Sequence, residues 1–191
     1  MNKIPLDFFL NHNVQKIAKD LLGTIIYTQI NNEISSAIIT ETEAYQGPED
    51  KASHAYNNKK TDRTKIMYQN GGCCYIYLCY GIHHLFNIVT NTSKIPHAVL
   101  IRSGKINSGL KYIKKRRKIN IDNAKLLNGP GNFSKGLGID INFNGQYLNN
   151  QNIWIEPSVI YKKKIKETPR IGIDYAAEYV SRPWRYILQN F

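Results

Sequence analysis

Four acids crowd one short stretch of the chain. Glu41, Glu43, Glu49 and Asp50 all fall within "ITETEAYQGPEDKASHAY", residues Ile39–Tyr56. The chain as a whole is strongly basic, with 26 Lys and Arg against 14 Asp and Glu and a formal net charge of +12. On an extended strand, carboxylates two residues apart share a face at a separation of roughly 7 Å. Glu41 and Glu43 would then lie on one side, with Tyr45 beside them. A carboxylate in a partly buried site can act as a general base toward water or stabilise a cationic transition state. A pair of acids also fits hydrolysis of a glycosidic bond. A solvated strand face would carry acids too. The apolar "AII" before them and the Gly-Pro loop after them favour a central strand running into a functional loop. The residues alone leave the choice between Glu41 and Glu43 open.

A second group of candidates is aromatic. In "CCYIYLCYG", alternation places Cys73, Tyr75, Tyr77 and Cys79 on one face and Cys74, Ile76, Leu78 and Tyr80 on the other. Tyr75 reads as a strand former packing a sheet. Tyr80 precedes Gly81 and suits a hairpin tip, where an aromatic on a basic protein can wedge into a base stack. Other aromatics could then sandwich an extruded base. His54 lies beyond Tyr45 on a loop able to fold back. His83 and His84 are adjacent, so on a strand they face opposite ways and cannot readily bind one metal together.

Other features carry less chemistry. "GNFSKGLG" has P-loop glycine separation, but Leu137 stands where a Lys is required. "GPG" reads as a tight turn before a possible helix. The runs "KKRRK" (114–118) and "KKKIK" (162–166) suit a phosphate-backbone footprint without sequence preference. The three cysteines, Cys73, Cys74 and Cys79, are local and odd in number, which is neither a disulfide framework nor zinc-ligand spacing.

The elements that must hold these residues are mostly strands. "VQKIAKDLLG" has helical spacing and stops at Gly23. "TIIYTQI" and "EISSAIITETEAY" form a hairpin over Asn31-Asn32. A polar connection follows, with a short helix from Glu49 to His54. "CCYIYLCY", "HHLFNIVTN", "HAVLIRS" and "QNIWIEPS" are further strands, "GLKYIKKRRKIN" is helical, and a last strand closes the chain. The expectation is an α+β fold: a single domain over 1–191 with a mainly antiparallel β-sheet core, surrounding helices and a protruding β-hairpin. A chain of 191 residues can build its core without disulfides or metal. No apolar run reaches the roughly 18 residues of a membrane span, and the N-terminus makes a poor signal peptide. These features predict a soluble, cytoplasmic protein whose basic charge suits a polyanion or an anionic surface, with a composition that leans bacterial.

"ETEAYQGPEDKASHA", then "YIYLCYGIHHLFNIV", then "AVLIR" closely resemble the 3-methyladenine (alkyladenine) DNA glycosylases of the animal and bacterial type. The resemblance extends to "VQKIAKDLLG", "GPGNFSKGLGI" and "RIGIDYAAEYVSRPWRYIL", so it covers nearly the whole chain. It implies hydrolysis of the N-glycosidic bond to a damaged purine in double-stranded DNA, leaving an abasic site without strand cleavage. It also implies that Glu43 is the general base, assisted by Arg102. Tyr45, His54, Tyr77 and Asn87 would form the base pocket, Asn87 disfavouring the amine of undamaged guanine, and Tyr80 would be the intercalating wedge. Glu41 becomes a structural neighbour. No metal or organic cofactor and no membrane are implied, and the expected state is a monomer. The alternatives are a non-catalytic nucleic-acid-binding protein, a metal-dependent nuclease using Glu41, Glu43 and Asp50, and a carbohydrate hydrolase that would leave the net charge unexplained.

Overall fold

The computed structural model describes residues 2–120, 125–157 and 164–190. Helix α1 (Val14–Asp20) starts where the Asn13 side chain accepts from the Lys16 N–H, satisfying a helix-end donor that would otherwise lack a partner. Its apolar face, Val14, Ile17 and Ala18, is buried. Strands β1 (Ile25–Ile30) and β2 (Glu33–Gln46) pair across Asn31 and Asn32. Both turn residues have positive φ, as this two-residue hairpin turn requires. Then come β3 (Cys74–Cys79), β4 (His83–Thr90), β5 (His97–Ser108), helices α2 (Leu110–Arg117) and α3 (Pro130–Leu137), and strands β6 (Ile153–Glu156), β7 (Ile165–Thr168) and β8 (Arg185–Leu188).

The strands make one eight-stranded sheet in the order β3-β4-β5-β2-β1-β6, with β8 bridging β2 and β7. The pairings are antiparallel, and with the helices they give the expected α+β class. β2 is central, as the apolar run before the acids predicted. Over β3, β4, β5 and β2, alternate residues point into the main core: Cys74 and Ile76, Phe86 and Ile88, Val99 and Ile101, Ala37, Ile39 and Ala44. Their alternates, Tyr75, Asn87, Leu100 and Glu43 among them, point to the opposite face, where the candidate site lies.

Helix α3 presses closely on the core side of β5. A Cβ on Gly104 would stand 2.8 Å from the Phe133 ring and 2.9 Å from the Ile38 carbonyl oxygen. Gly104→Ala should therefore destabilise the fold by about 1–3 kcal/mol, read as a lower denaturation midpoint at unchanged slope.

Two expectations differ from the structure. No helix forms over 49–54, where the chain runs through turns. The Asp50 carboxylate accepts from the backbone N–H groups of Gln46 and Ala52, a local alternative to helical bonding. Part of "KKKIK" belongs to a strand, since Ile165 and Lys166 lie on β7; Lys162 and Lys163 fall outside the described residues. Among the described residues no helix is long and apolar enough to cross a membrane, and no group of three or more His, Cys, Asp or Glu could hold a metal ion.

Candidate active site

Register brings the candidates together. Tyr75 on β3 pairs with Asn87 on β4, Asn87 with Leu100 on β5, and Leu100 with Glu43 on β2. These four side chains form one row across the outer face. The pair Tyr77–Leu85 flanks this row on one side and the pair Tyr45–Ala98 flanks it on the other. A cavity opens over both, lined by Tyr45, His54, Tyr75, Tyr77, Asn87 and Arg102 among others.

Arg102 follows Ala98 and Leu100 onto this face by alternation, and a β-bulge brings Ser103 to the same side. Thr42 pairs with Ile101 and Glu41 with Ser103, so Arg102 is the extra residue on β5. Bulges re-aim side chains in this way. Here both Arg102 and Ser103 turn toward the acids. Arg102 Nε donates to Glu41 Oε1 at 3.1 Å, and its Nη1 lies 3.3 Å from Glu43 Oε1. One guanidinium thus bridges the two carboxylates of the strand face.

The environments of the two acids differ. Glu41 accepts from Arg185 Nε at 2.6 Å and Ser103 Oγ at 2.9 Å. Burial alone would raise its pKa, but these bonds and the charges of Arg102 and Arg185 hold it below the usual carboxylate value. Every near partner of Glu41 is a strand residue of the sheet. Glu43 is fully buried. It accepts from Tyr45 Oη at 2.7 Å on one oxygen and from the Ile171 N–H at 3.0 Å on the other. Glu43 lies one layer beneath the cavity wall, and its three contacts, Tyr45, Arg102 and Ile171, all line the cavity. Burial, together with the charge and hydrogen bond of Glu43, pushes the Tyr45 hydroxyl well above the usual phenol range.

His54 folds back from its loop, as its position after Tyr45 suggested. Its Nδ1 lies 2.9 Å from Tyr75 Oη, and Arg63 Nη2 lies 3.2 Å from its Nε2. A guanidinium can only donate, so the proton sits on Nδ1 and points at Tyr75. Burial, with help from the Arg63 charge, lowers the His54 pKa to about 4, and the ring is neutral near pH 7. Its ring meets Tyr77 edge-on at 4.6 Å. Asn87 is anchored by bonds from Nδ2 to the Tyr75 and Leu85 carbonyls. Tyr80 stands at the cavity rim on the three-residue tip between β3 and β4, 93% exposed and with a φ of 50°. His83 lies behind that tip, against Gly131 at the start of α3, where "GPG" opens a helix.

The matching family profile, described as Methylpurine-DNA glycosylase, covers residues 8–191. The chain belongs to the methylpurine-DNA glycosylase family. It is 48% identical to a Chlamydia felis protein named "Putative 3-methyladenine DNA glycosylase", over 97% of this chain and 95% of the relative. Proteins of the same name in Natranaerobius thermophilus and Bacillus cereus are 40% and 39% identical, over 98% and 95% of this chain and 96% and 94% of the relatives. The chain is thus a DNA glycosylase, a hydrolase of N-glycosidic bonds acting in DNA repair.

In this glycosylase the site also uses residues that the sequence reading left aside. The segment "RIGID" crosses the cavity, so Ile171, Gly172 and Ile173 form part of its lining. Arg170, fully buried, makes a two-point ion pair with Asp50, at 2.5 and 2.8 Å, and donates to the Ala44 carbonyl. That pair fastens the segment so that the Ile171 N–H meets Glu43. Asp50 is therefore engaged by a cation instead of being available as a metal ligand beside Glu41 and Glu43. Tyr75, read as a packing residue, is buried as expected and also fixes His54.

Proposed function

We propose that this glycosylase extrudes a damaged purine from duplex DNA into the cavity and hydrolyses its N-glycosidic bond with water activated by Glu43. The observation that carries the reading is the Glu43 carboxylate, buried and held by three donors that each line the cavity. A carboxylate offers about four acceptor sites, so these donors leave one for the proton of an attacking water. Arg102, tied to Glu41 as well, holds the carboxylate in position. The oxocarbenium-like sugar that develops as the bond breaks is positive, and a fixed carboxylate favours it.

Tyr45, Tyr77 and His54 supply aromatic walls for the extruded base. Alkylation at N3 or N7 makes a purine cationic and a better leaving group, and such a ring gains about 0.5–2 kcal/mol by cation–π contact with Tyr45, where the charge of the stacked Arg170 is cancelled by Asp50. Asn87, held by two backbone carbonyls, cannot swing aside for an additional amine on guanine. Tyr80 would fill the gap left in the duplex. Lyase chemistry through a Schiff base needs an amine, and among the described residues no lysine lines the cavity. Water as nucleophile leaves an abasic site and an intact strand, and one active chain suffices.

The test is a duplex carrying a single hypoxanthine, incubated with the protein and a chelator. Free base should appear, and the strand should break only after alkali. Strand cleavage without alkali would replace hydrolysis by a lyase mechanism. No release from hypoxanthine, ethenoadenine or methylated purines would remove the reading altogether. Tyr80→Ala should leave stability within about 0.5 kcal/mol of wild type, because the side chain is exposed. Its excision from duplex should fall by about tenfold or more, since base–aromatic stacking is worth ~1–3 kcal/mol. Equal losses on duplex and single-stranded substrate would argue against a wedge.

A further inference from the structure

Each of the two tyrosines that wall the cavity carries an arginine on its ring. Arg170 stacks on Tyr45, and Arg63 stacks on Tyr77, both with the guanidinium carbon 4.6 Å from the ring centroid. Neither arginine is among the residues lining the cavity, whereas both tyrosines are. The guanidiniums therefore back the rings from the side away from the base. The two differ in charge balance. Arg170 is buried and cancelled by its two-point pair with Asp50. Arg63 is exposed, and its contacts are His54 Nε2, the Tyr77 ring and the Tyr75 hydroxyl, none of them anionic. Among the described residues no carboxylate pairs with it.

We propose that Arg63 is a specificity-determining residue, whose uncompensated charge behind Tyr77 biases the pocket toward neutral damaged purines and away from cationic alkylated ones. The inference rests on the glycosylase reading above and names which lesions that pocket prefers. A cation on one face of an aromatic ring draws on the same quadrupole that would attract a cation on the other. The two positive charges also repel across the ring, a repulsion that solvent at the exposed Arg63 reduces without abolishing. A neutral base meets no such repulsion and still gains the stacking area of Tyr77. His54 adds no second charge, because the donor from Arg63 occupies the nitrogen that would have to be protonated.

The experiment compares single-turnover release of cationic 3-methyladenine and neutral hypoxanthine from duplex DNA by wild type, Arg63→Gln and Arg63→Lys. Arg63→Gln should raise the 3-methyladenine to hypoxanthine rate ratio by about 3- to 10-fold at low salt, and the gain should shrink at high salt as screening increases. Arg63→Lys, which keeps the charge, should stay within about twofold of the wild-type ratio. A fall by the same factor on both substrates would mean that Arg63 only props up His54 and Tyr77, and would overturn the proposal. So would an Arg63→Lys ratio matching Arg63→Gln. Wild type releasing neither base would bring down the glycosylase reading beneath it, an outcome visible before any variant is compared.

Discussion

Glu43→Gln is expected to reduce base release from a hypoxanthine duplex by about 10²–10⁴-fold, the range that general-base catalysis contributes, while leaving DNA binding close to wild type. The amide is nearly the same size and shape. One of its atoms can still accept from the Ile171 N–H and Arg102, which meet the same carboxylate oxygen. The Tyr45 hydroxyl, now a donor to the other oxygen, can rotate to accept from the amide nitrogen. What glutamine cannot do is take a proton from water. Glu41→Gln is the informative partner. Its ties run to Arg102, Arg185 and Ser103, so the change should loosen Arg102 and cost less activity than Glu43→Gln. It should cost stability as well. The lowered pKa of Glu41 means that its stabilising share is present above its unfolded value and is lost as pH falls through the folded one. A Glu43→Gln rate within tenfold of wild type would take Glu43 out of the base role. A parallel loss of DNA binding would mark it as structural.

How much of this could be read in the residues depends on range. β2 was legible because its alternation and its Asn31-Asn32 turn are local signals, and the tip at Tyr80-Gly81 was legible for the same reason. Alternation also put Glu41, Glu43 and Tyr45 on one face, and Arg102 touches both acids there. β7 was missed because Lys166 ends a run of lysines that looks like a solvated face, although charge is what an edge strand tolerates. The 49–54 helix was misread because the Asp50 carboxylate binds the Gln46 and Ala52 amides in place of helical bonding and is held there by Arg170, 120 residues away. Arg63 and Arg170 carry no local mark of function. Their importance comes from the rings that they stack on, which only the folded chain brings to them. The bulge that turns Arg102 and Ser103 to the same side breaks the period on which strand reading depends.

The largest expected effect on stability lies at that Asp50–Arg170 pair. Both side chains are fully buried, and removing one partner of such a pair strands an uncompensated charge, at a cost of about 3–5 kcal/mol. Asp50→Asn keeps the shape while deleting the charge, and its one remaining oxygen can accept from only one of the Gln46 and Ala52 amides, which meet different oxygens of the carboxylate. Its denaturation midpoint should fall accordingly. Arg170→Met should be comparably damaging, because it leaves Asp50 buried and also removes the stack on Tyr45 and Trp184. The double variant should lose less than the sum of the two, since with both charges gone neither is left buried without its partner. Activity should follow a different pattern from stability. In the double variant the segment over the cavity has no anchor on β2, so the Ile171 N–H no longer holds Glu43, and turnover should stay low even where stability recovers. An Asp50→Asn midpoint within about 0.5 kcal/mol of wild type would mean that the ion pair contributes no more than a surface one. A double variant with wild-type turnover would mean that Glu43 is placed by Arg102 and Tyr45 alone.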